Sequence, residues 1–344
     1  MKSTQIYSTH ITSSQKETLI NSFPSVFDED SIDKNNFKLI FENNEAPNIL
    51  YHYTSIKTLQ SILERIEDEE KRNLKTSNSN CFALRGTHIE FLNDITEFKL
   101  TGELLAELIK TYENSLKAIE NKHIADKLNH DYWKGFVTLF GYMTPPFITS
   151  FSENPDSLPM WNTYGINGKG VAIGIERMKI DDLHYKSKSG NPSWVRCAYD
   201  SKLLKDILSK AAKDIYSLFE PREGHLVFNG FPNISDLAAY FSLLKNFAFE
   251  YEQEWRLIKN YSASDYEKEI KFQEKDGILK PYVEHLLPKK ILKEIIIGPG
   301  SEMEMLQKSL DMSLKRAGYS VNQLERHKDN FVEIKLSRVP YRHI

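Results

Sequence analysis

Four short stretches of this 344-residue chain gather side chains that do chemistry. The first runs from Leu50 to Ser55 and reads Leu-Tyr-His-Tyr-Thr-Ser. Side chains alternate along a strand, so His52 and Thr54 share one face while Tyr51 and Tyr53 take the other. An imidazole and a hydroxyl then sit together at a strand end, where the chain turns into a helix. In a purely structural role the same histidine would be half-buried and bonded to a neighbouring backbone group. The second stretch, Phe91 to Glu97, supplies Asn93, Asp94 and Glu97 as oxygen donors for a cation or for substrate hydroxyls. Asp94 followed three residues later by Glu97 is equally a capping box for the next helix.

The third stretch runs from Ser150 to Tyr164. Ser150 and Ser152 share a strand face with Phe151 opposite, and Trp161 and Tyr164 lie three apart on a short helix beside Met160. Such a row of rings can stack a flat heterocycle, and it can also be ordinary core. The fourth stretch, Phe249 to Ile258, is the most informative. If extended, it lines Glu250, Glu252, Glu254 and Arg256 along one face, with Tyr251, Gln253, Trp255 and Leu257 on the other. Carboxylates at alternate positions repel and raise one another's pKa, which a cation or a functional cleft offsets. Arg256 and Lys245 are candidates for that cation; an exposed, ion-paired strand edge is the structural alternative. The glycines between Ile297 and Ser301 precede a helix and could cradle a phosphate, or make a plain strand-to-helix turn.

These residues need elements to position them. Ile49–Thr54 reads as a strand, and Ser55 opens a helix with Ile56, Leu59, Ile62, Leu63 and Ile66 on one face. Residues 68–80 read as loop or frayed helix, and a long helical region is expected over about 95–139, ended by Pro145-Pro146. Strands are expected at Phe147–Phe151, Val171–Ile175, Val195–Tyr199, Trp255–Asn260, Ile295–Ile297 and Phe331–Leu336. Asp156 or Ser157 is expected to cap a short helix reaching Tyr164, and residues 165–170 to form a turn. The glycine at 174 inside a strand suggests close approach by another group. Helices are expected over about 201–219, 234–249 and 302–316. Strands scattered among helices, many within hairpin reach, point to an α+β fold with a mixed or antiparallel sheet. The expected organisation is an N-terminal extension over 1–47, then a single domain over 48–344 with a helical insertion at about 97–140.

Composition narrows the function classes. The chain is 40% hydrophobic and 27% charged, ordinary for a globular protein with a sizeable core. A net charge of −3 supplies no global field for nucleic acid or anionic lipid. Two cysteines, Cys81 and Cys197, are too few for a disulfide framework, so a reducing compartment is expected. No apolar leader and no run of about 20 apolar residues occurs, and a cytoplasmic location without membrane contact is expected.

In this order the motifs resemble a bacterial family known as domain-of-unknown-function 2971. Its members share a YxYTS-like start, an LND-x-x-E element, an SFS…D-x-L-x-MW-x-x-Y block, an E-x-EWR strand, an IIxGP strand and a C-terminal S-x-x-x-YR. Here these are Tyr51–Ser55, Leu92–Glu97, Ser150–Tyr164, Glu252–Arg256, Ile295–Pro299, and Ser337 with Tyr341 and Arg342. More loosely, the chain resembles ADP-ribosyltransferases, which carry a first-strand His or Arg, a middle-strand Ser or Tyr, and a late strand opening E-x-E or Q-x-E. That resemblance implies an ADP-ribosyltransferase-like sheet, NAD as substrate, no required metal, and a macromolecular acceptor, protein or nucleic acid. It implies that His52 holds the nicotinamide-side ribose and Ser152 supports the site. Glu254 would stabilise the oxocarbenium-like transition state, and Glu252 would orient the acceptor. Tyr53, Trp161 or Tyr164 would stack the nicotinamide, with Thr54, Ser150 and Arg256 completing the binding set. A toxin or phage-defence role, as transferase or NAD glycohydrolase, follows as a family-level expectation. The spacing from the middle strand to Glu254 is longer than in those enzymes, and the usual Ser-Thr-Ser run is missing.

Two other classes remain open. Asp94, Glu97, Glu252 and Glu254 could ligate Mg²⁺ or Mn²⁺ in a metal-dependent hydrolase or nuclease, if their elements converge. Alternatively, the motifs shape a nucleotide pocket in a non-enzymatic sensor.

Overall fold

In the computed structural model of the chain, the described residues are 47–71, 81–92, 146–177, 193–199, 219–222, 225–228, 242, 245–260, 268–275, 277–300 and 302–340. The chain divides into two compact units. One comprises residues 1–42, 89–146 and 198–247; the other comprises 43–88, 147–197 and 248–344. The elements, in order, are β1 (Ile49–Thr54), α1 (Ile56–Lys71), β2 (Cys81–His88), β3 (Pro146–Ser152), α2 (Leu158–Thr163), β4 (Val171–Glu176), β5 (Ser193–Arg196), β6 (Phe219–Arg222), β7 (His225–Phe228), β8 (Glu254–Asn260), β9 (Lys271–Lys275), β10 (Ile278–Pro288), β11 (Leu292–Ile297), α3 (Met303–Arg316) and β12 (Glu333–Leu336). In the first unit, β6 and β7 form an antiparallel hairpin.

The second unit carries the sheet. Among the described residues it has ten strands, in the path β12-β11-β4-β1-β3-β2-β10-β9, with β8 paired to β3 and β5 to β8. The pairs β1–β3, β1–β4, β2–β3, β2–β10, β4–β11, β5–β8 and β9–β10 are antiparallel, and β11 and β12 run parallel. The architecture is therefore α+β with a mixed, mostly antiparallel open sheet. Of the three strands bearing the His, Ser and Glu motifs, β3 pairs with both β1 and β8. β1 shares six Cα pairs with β4 but only Tyr51↔Ser152 with β3. The sheet thus parts between β1 and β3 beyond that pair.

Alternation sorts the core onto the two faces. Leu50, Phe82, Leu84, Phe151, Ile173, Ile295 and Leu257 turn to the face covered by α1 and α3, which contribute Leu59, Ile62, Leu63, Ile66, Leu310 and Leu314. Tyr51, Tyr53, Ala172 and Ile296 turn the other way and pack under Met160 and Trp161 of α2. Helix α1 begins where its sequence says it should. Ser55 Oγ accepts from the Thr58 backbone N–H at 3.0 Å, a cap bond to the third residue of the helix. The expected close approach at Gly174 is present, because a Cβ there would lie 2.5 Å from Glu294 Cγ. Glu294 cannot swing aside, since its carboxylate accepts from Tyr51 Oη–H at 2.8 Å and pairs with Lys335. We therefore expect Gly174→Ala to cost about 1–3 kcal/mol as overpacking, read as a lower urea midpoint with unchanged slope.

Two expectations fail for physical reasons. Strands β2, β9 and β10 were not anticipated. In β2 the interior Gly86 weakens the alternating pattern, and it is glycine because a Cβ there would lie 2.5 Å from the His285 ring. Strand β9, Lys-Phe-Gln-Glu-Lys, is a polar edge, and β10 carries Pro281 and Pro288, which normally argue against a strand. Residues 249–258 are not one extended run. Phe247–Glu252 is a 3₁₀ turn, Gln253 takes a left-handed φ of 42°, and the strand starts only at Glu254. Of the two readings of the glycines after β11, the turn is the one seen. Gly298 N–H donates to Gly170 O at 3.0 Å and Gly300 N–H to Gly168 O at 2.9 Å, so they make the strand-to-helix turn. The expected helices over about 95–139, 201–219 and most of 234–249 fall outside the described residues, as do Asn93, Asp94 and Glu97.

Candidate functional site

The broken geometry before β8 decides what each carboxylate can do. Glu250 is exposed on the 3₁₀ turn, whereas Glu252 and Glu254 are 3% and 2% exposed. Glu252 leaves the last position of the turn; its Oε1 accepts from Tyr164 Oη–H at 2.9 Å. Its backbone carbonyl accepts from Ser152 Oγ–H at 2.7 Å, and Ser152 Oγ in turn accepts from the Asn154 N–H at 3.0 Å. The carbonyl of Gln253 takes the Glu153 N–H at 3.1 Å. Ser152, Tyr164 and Glu252, expected to share a site from their types alone, are therefore joined by hydrogen bonds.

Glu254 is held differently. Arg256 Nε–H donates to its Oε1 at 3.0 Å and Nη2–H to its Oε2 at 3.1 Å, a bidentate pair two residues apart on one strand face. Arg256 is itself 1% exposed. Cys197 Sγ–H adds a contact to Glu254 Oε2 at 3.6 Å. Of the two cations expected beside the carboxylate row, Arg256 pairs with Glu254.

His52 turns to the other face of the sheet. Tyr51 and Ser152 are directly paired and share a face, so His52 lies with Phe151, ring centroids 5.7 Å apart, on the side where Trp255 and Leu257 pack. Its Nδ1 lies 2.9 Å from the Ser150 carbonyl, which can only accept. Nδ1 therefore carries the proton, and Nε2 of the neutral ring is an acceptor. Burial pushes the His52 pKa down, opposed by that hydrogen bond, so the neutral tautomer is the working form near pH 7. The imidazole bridges β1 to β3 where the two strands part. His52 and Glu254 thus lie on opposite sheet faces, and the convergence expected of His52, Ser152 and Glu254 reduces to adjacency of their strands. Thr54 is half-buried at the end of β1, where Gly170 approaches so closely that a Cβ would meet Thr54 O at 2.3 Å.

The aromatic assignments also change. Trp161 is 0% and Tyr53 6% exposed, and the two rings pack edge-on with centroids 4.7 Å apart. A ring consumed on its faces by core cannot stack a ligand, so neither is a nicotinamide platform; only Tyr164, half-buried, keeps that option. Tyr53 Oη instead donates to Asn154 O at 2.8 Å and accepts from Ser157 N–H at 3.1 Å, pinning the loop between β3 and α2. Asp156 does not cap α2, and Ser157, at the cap position, makes no side-chain cap bond. Asp156 accepts from the Trp161 indole, from Ser337 and from the Arg338 backbone, contacts no local pattern could reveal. Glu153 likewise collects Trp255 Nε1–H at 2.8 Å and Arg196 Nε–H at 2.9 Å.

Among the described residues no group of three or more His, Cys, Asp or Glu side chains is arranged to hold a metal ion. None of their helices is long and apolar enough to cross a membrane. Residues 160–257 match the family described as "Protein of unknown function (DUF2971)", which bears out the resemblance drawn from the motifs. That match runs from the Met160-Trp161 pair through Glu252 and the first residues of β8. No curated protein and no solved structure matches the chain.

Proposed function

We infer that the chain cleaves the nicotinamide–ribose bond of NAD⁺, passing ADP-ribose to water or to a macromolecular acceptor. The observation that carries this reading is the hydrogen-bonded group of Ser152, Tyr164 and Glu252 where β3 pairs with β8. Breaking that bond builds positive charge on the ribose, and a fixed carboxylate in a site poor in water stabilises it. The reading assigns this role to Glu252 rather than Glu254. A carboxylate already neutralised by a bidentate guanidinium has little field left for a second cation. Glu252, by contrast, accepts from the Tyr164 phenol at the end of the turn that Ser152 fixes. Ser152 fixes that turn and Tyr164 orients the carboxylate, while His52, on the opposite face, ties β1 to β3 through the Ser150 carbonyl. Glu254 and Arg256 form the rigid strand beneath. A toxin or phage-defence setting belongs to this reading as its biological expectation.

The test follows nicotinamide release from NAD⁺ by purified protein with and without lysate. Glu252→Gln is expected to lower the rate a hundredfold or more, about 3 kcal/mol, while the melting temperature stays near that of wild type. No release by the wild type, together with no rise in melting temperature on adding NAD⁺, overturns the reading.

A further inference from the structure

We propose that the segment Ser337–Val339 is a strap that positions the Glu252 carboxylate through Asp156, an inference that rests on the assignment of Glu252 above. Asp156 Oδ1 accepts from Trp161 Nε1–H at 2.7 Å and from Ser337 Oγ–H at 2.6 Å, and Oδ2 accepts from the Arg338 N–H at 2.7 Å. One carboxylate therefore ties α2 to a segment about 180 residues further along the chain. The strap is a continuation of the sheet edge, since Ser337 N–H donates to Ile297 O at 2.9 Å on β11. Its next residues close on themselves, with Val339 N–H donating to Ser337 Oγ at 3.2 Å, and Val339 packs against the Tyr51, Tyr53 and Trp161 cluster.

Helix α2 needs such a clasp. It has six residues, far too short to be stable alone, and its cap residue makes no side-chain bond. Its orientation is set by tertiary contacts, and the buried polar one is the Trp161 indole on Asp156. Tyr164 follows Trp161 by less than one turn, and its hydroxyl donates to the Glu252 carboxylate. The path runs from strap to Asp156, to Trp161, to Tyr164 and so to the carboxylate. Asp156 and Ser337 are positioning residues in this scheme, because neither touches the proposed sugar.

The experiment compares Ser337→Ala, Asp156→Asn and Ser337→Thr with wild type by amide hydrogen exchange and nicotinamide release. The Tyr164 and Gly165 amides, both bonded to Met160 O, and the Gly168 amide, bonded to Trp161 O, report on α2 directly. Ser337→Ala and Asp156→Asn are expected to speed exchange at these amides tenfold or more, with β4 and α3 unchanged. Release should fall about tenfold in both variants and recover in Ser337→Thr, which keeps the hydroxyl. Unchanged exchange around α2 overturns the strap, as does acceleration spread over β4 and α3, which would mark general destabilisation. Local loosening with full release in an active enzyme removes the positioning role. If the wild type releases no nicotinamide, the functional reading fails while exchange still decides whether the strap exists.

Discussion

Arg256→Met is expected to destabilise the protein by about 3–5 kcal/mol, the cost of leaving the Glu254 carboxylate buried beside a removed counter-charge. Both side chains are nearly sealed from solvent, so water does not screen or replace the pair. Glu254→Leu should cost a similar amount, because it strands the guanidinium instead. The double variant Glu254→Leu with Arg256→Met removes both charges and leaves apolar side chains in their place. It should recover at least about 2 kcal/mol relative to the sum of the singles. Urea midpoints for the four proteins at pH 7 complete the cycle. Additive effects would mean that the two groups are held by other partners and that their bidentate geometry contributes no coupling. The cycle also bears on function, since a pair this strongly coupled is scaffold, and catalysis should then depend on Glu252 far more than on Glu254.

The local parts of the site were legible in the sequence, and the long-range parts were not. Ser55 with its apolar stripe specified the start of α1 to the residue, because capping and 3.6-residue periodicity act within one or two turns. The glycine in β4 announced close approach, though not that Glu294 would be the neighbour. The alternating acidic residues from 250 to 256 were read as a strand because alternation was assumed to continue through Gln253. A single left-handed residue broke it and sent Glu252 and Glu254 into different environments. Trp161 and Tyr164 looked equally suited to stacking, and only burial separates them. The Asp156 clasp illustrates the limit. Two of its donors, Ser337 and Arg338, come from the far end of the chain, and no periodicity links residues so far apart. The polar edge β9 and the proline-bearing β10 were hidden because their pairing with β2 and with each other is a tertiary fact that overrides local propensity.

Acid should weaken the fold well before its carboxylates titrate, and the buried histidines say where. Burial pushes His285 down to about 3, with the positive charge of Lys259 acting in the same direction. Thr149 Oγ1 lies 2.9 Å from its Nδ1 on the face where Leu84 and Leu287 pack. Burial also pushes His88, whose ring stands edge-on to Phe147, down to about 4. In the unfolded chain both rings return to about 6.5. The unfolded state then binds protons that the native state refuses, so their contribution is complete above pH 6.5 and is lost as pH falls through 6.5 towards 4 and then 3. Between pH 7 and pH 5 each ring should remove about 2 kcal/mol, roughly 4 kcal/mol together, a large share of a typical domain's stability. His52, shifted in the same direction by burial, adds to the loss. Urea midpoints measured from pH 7 to pH 5 should therefore drop steeply, and His285→Gln should flatten that slope by about one proton whatever it does to stability at pH 7. A wild-type midpoint constant across this window would show that the rings are protonated inside the fold, and that the His285 and Thr149 contact does not depend on a neutral imidazole.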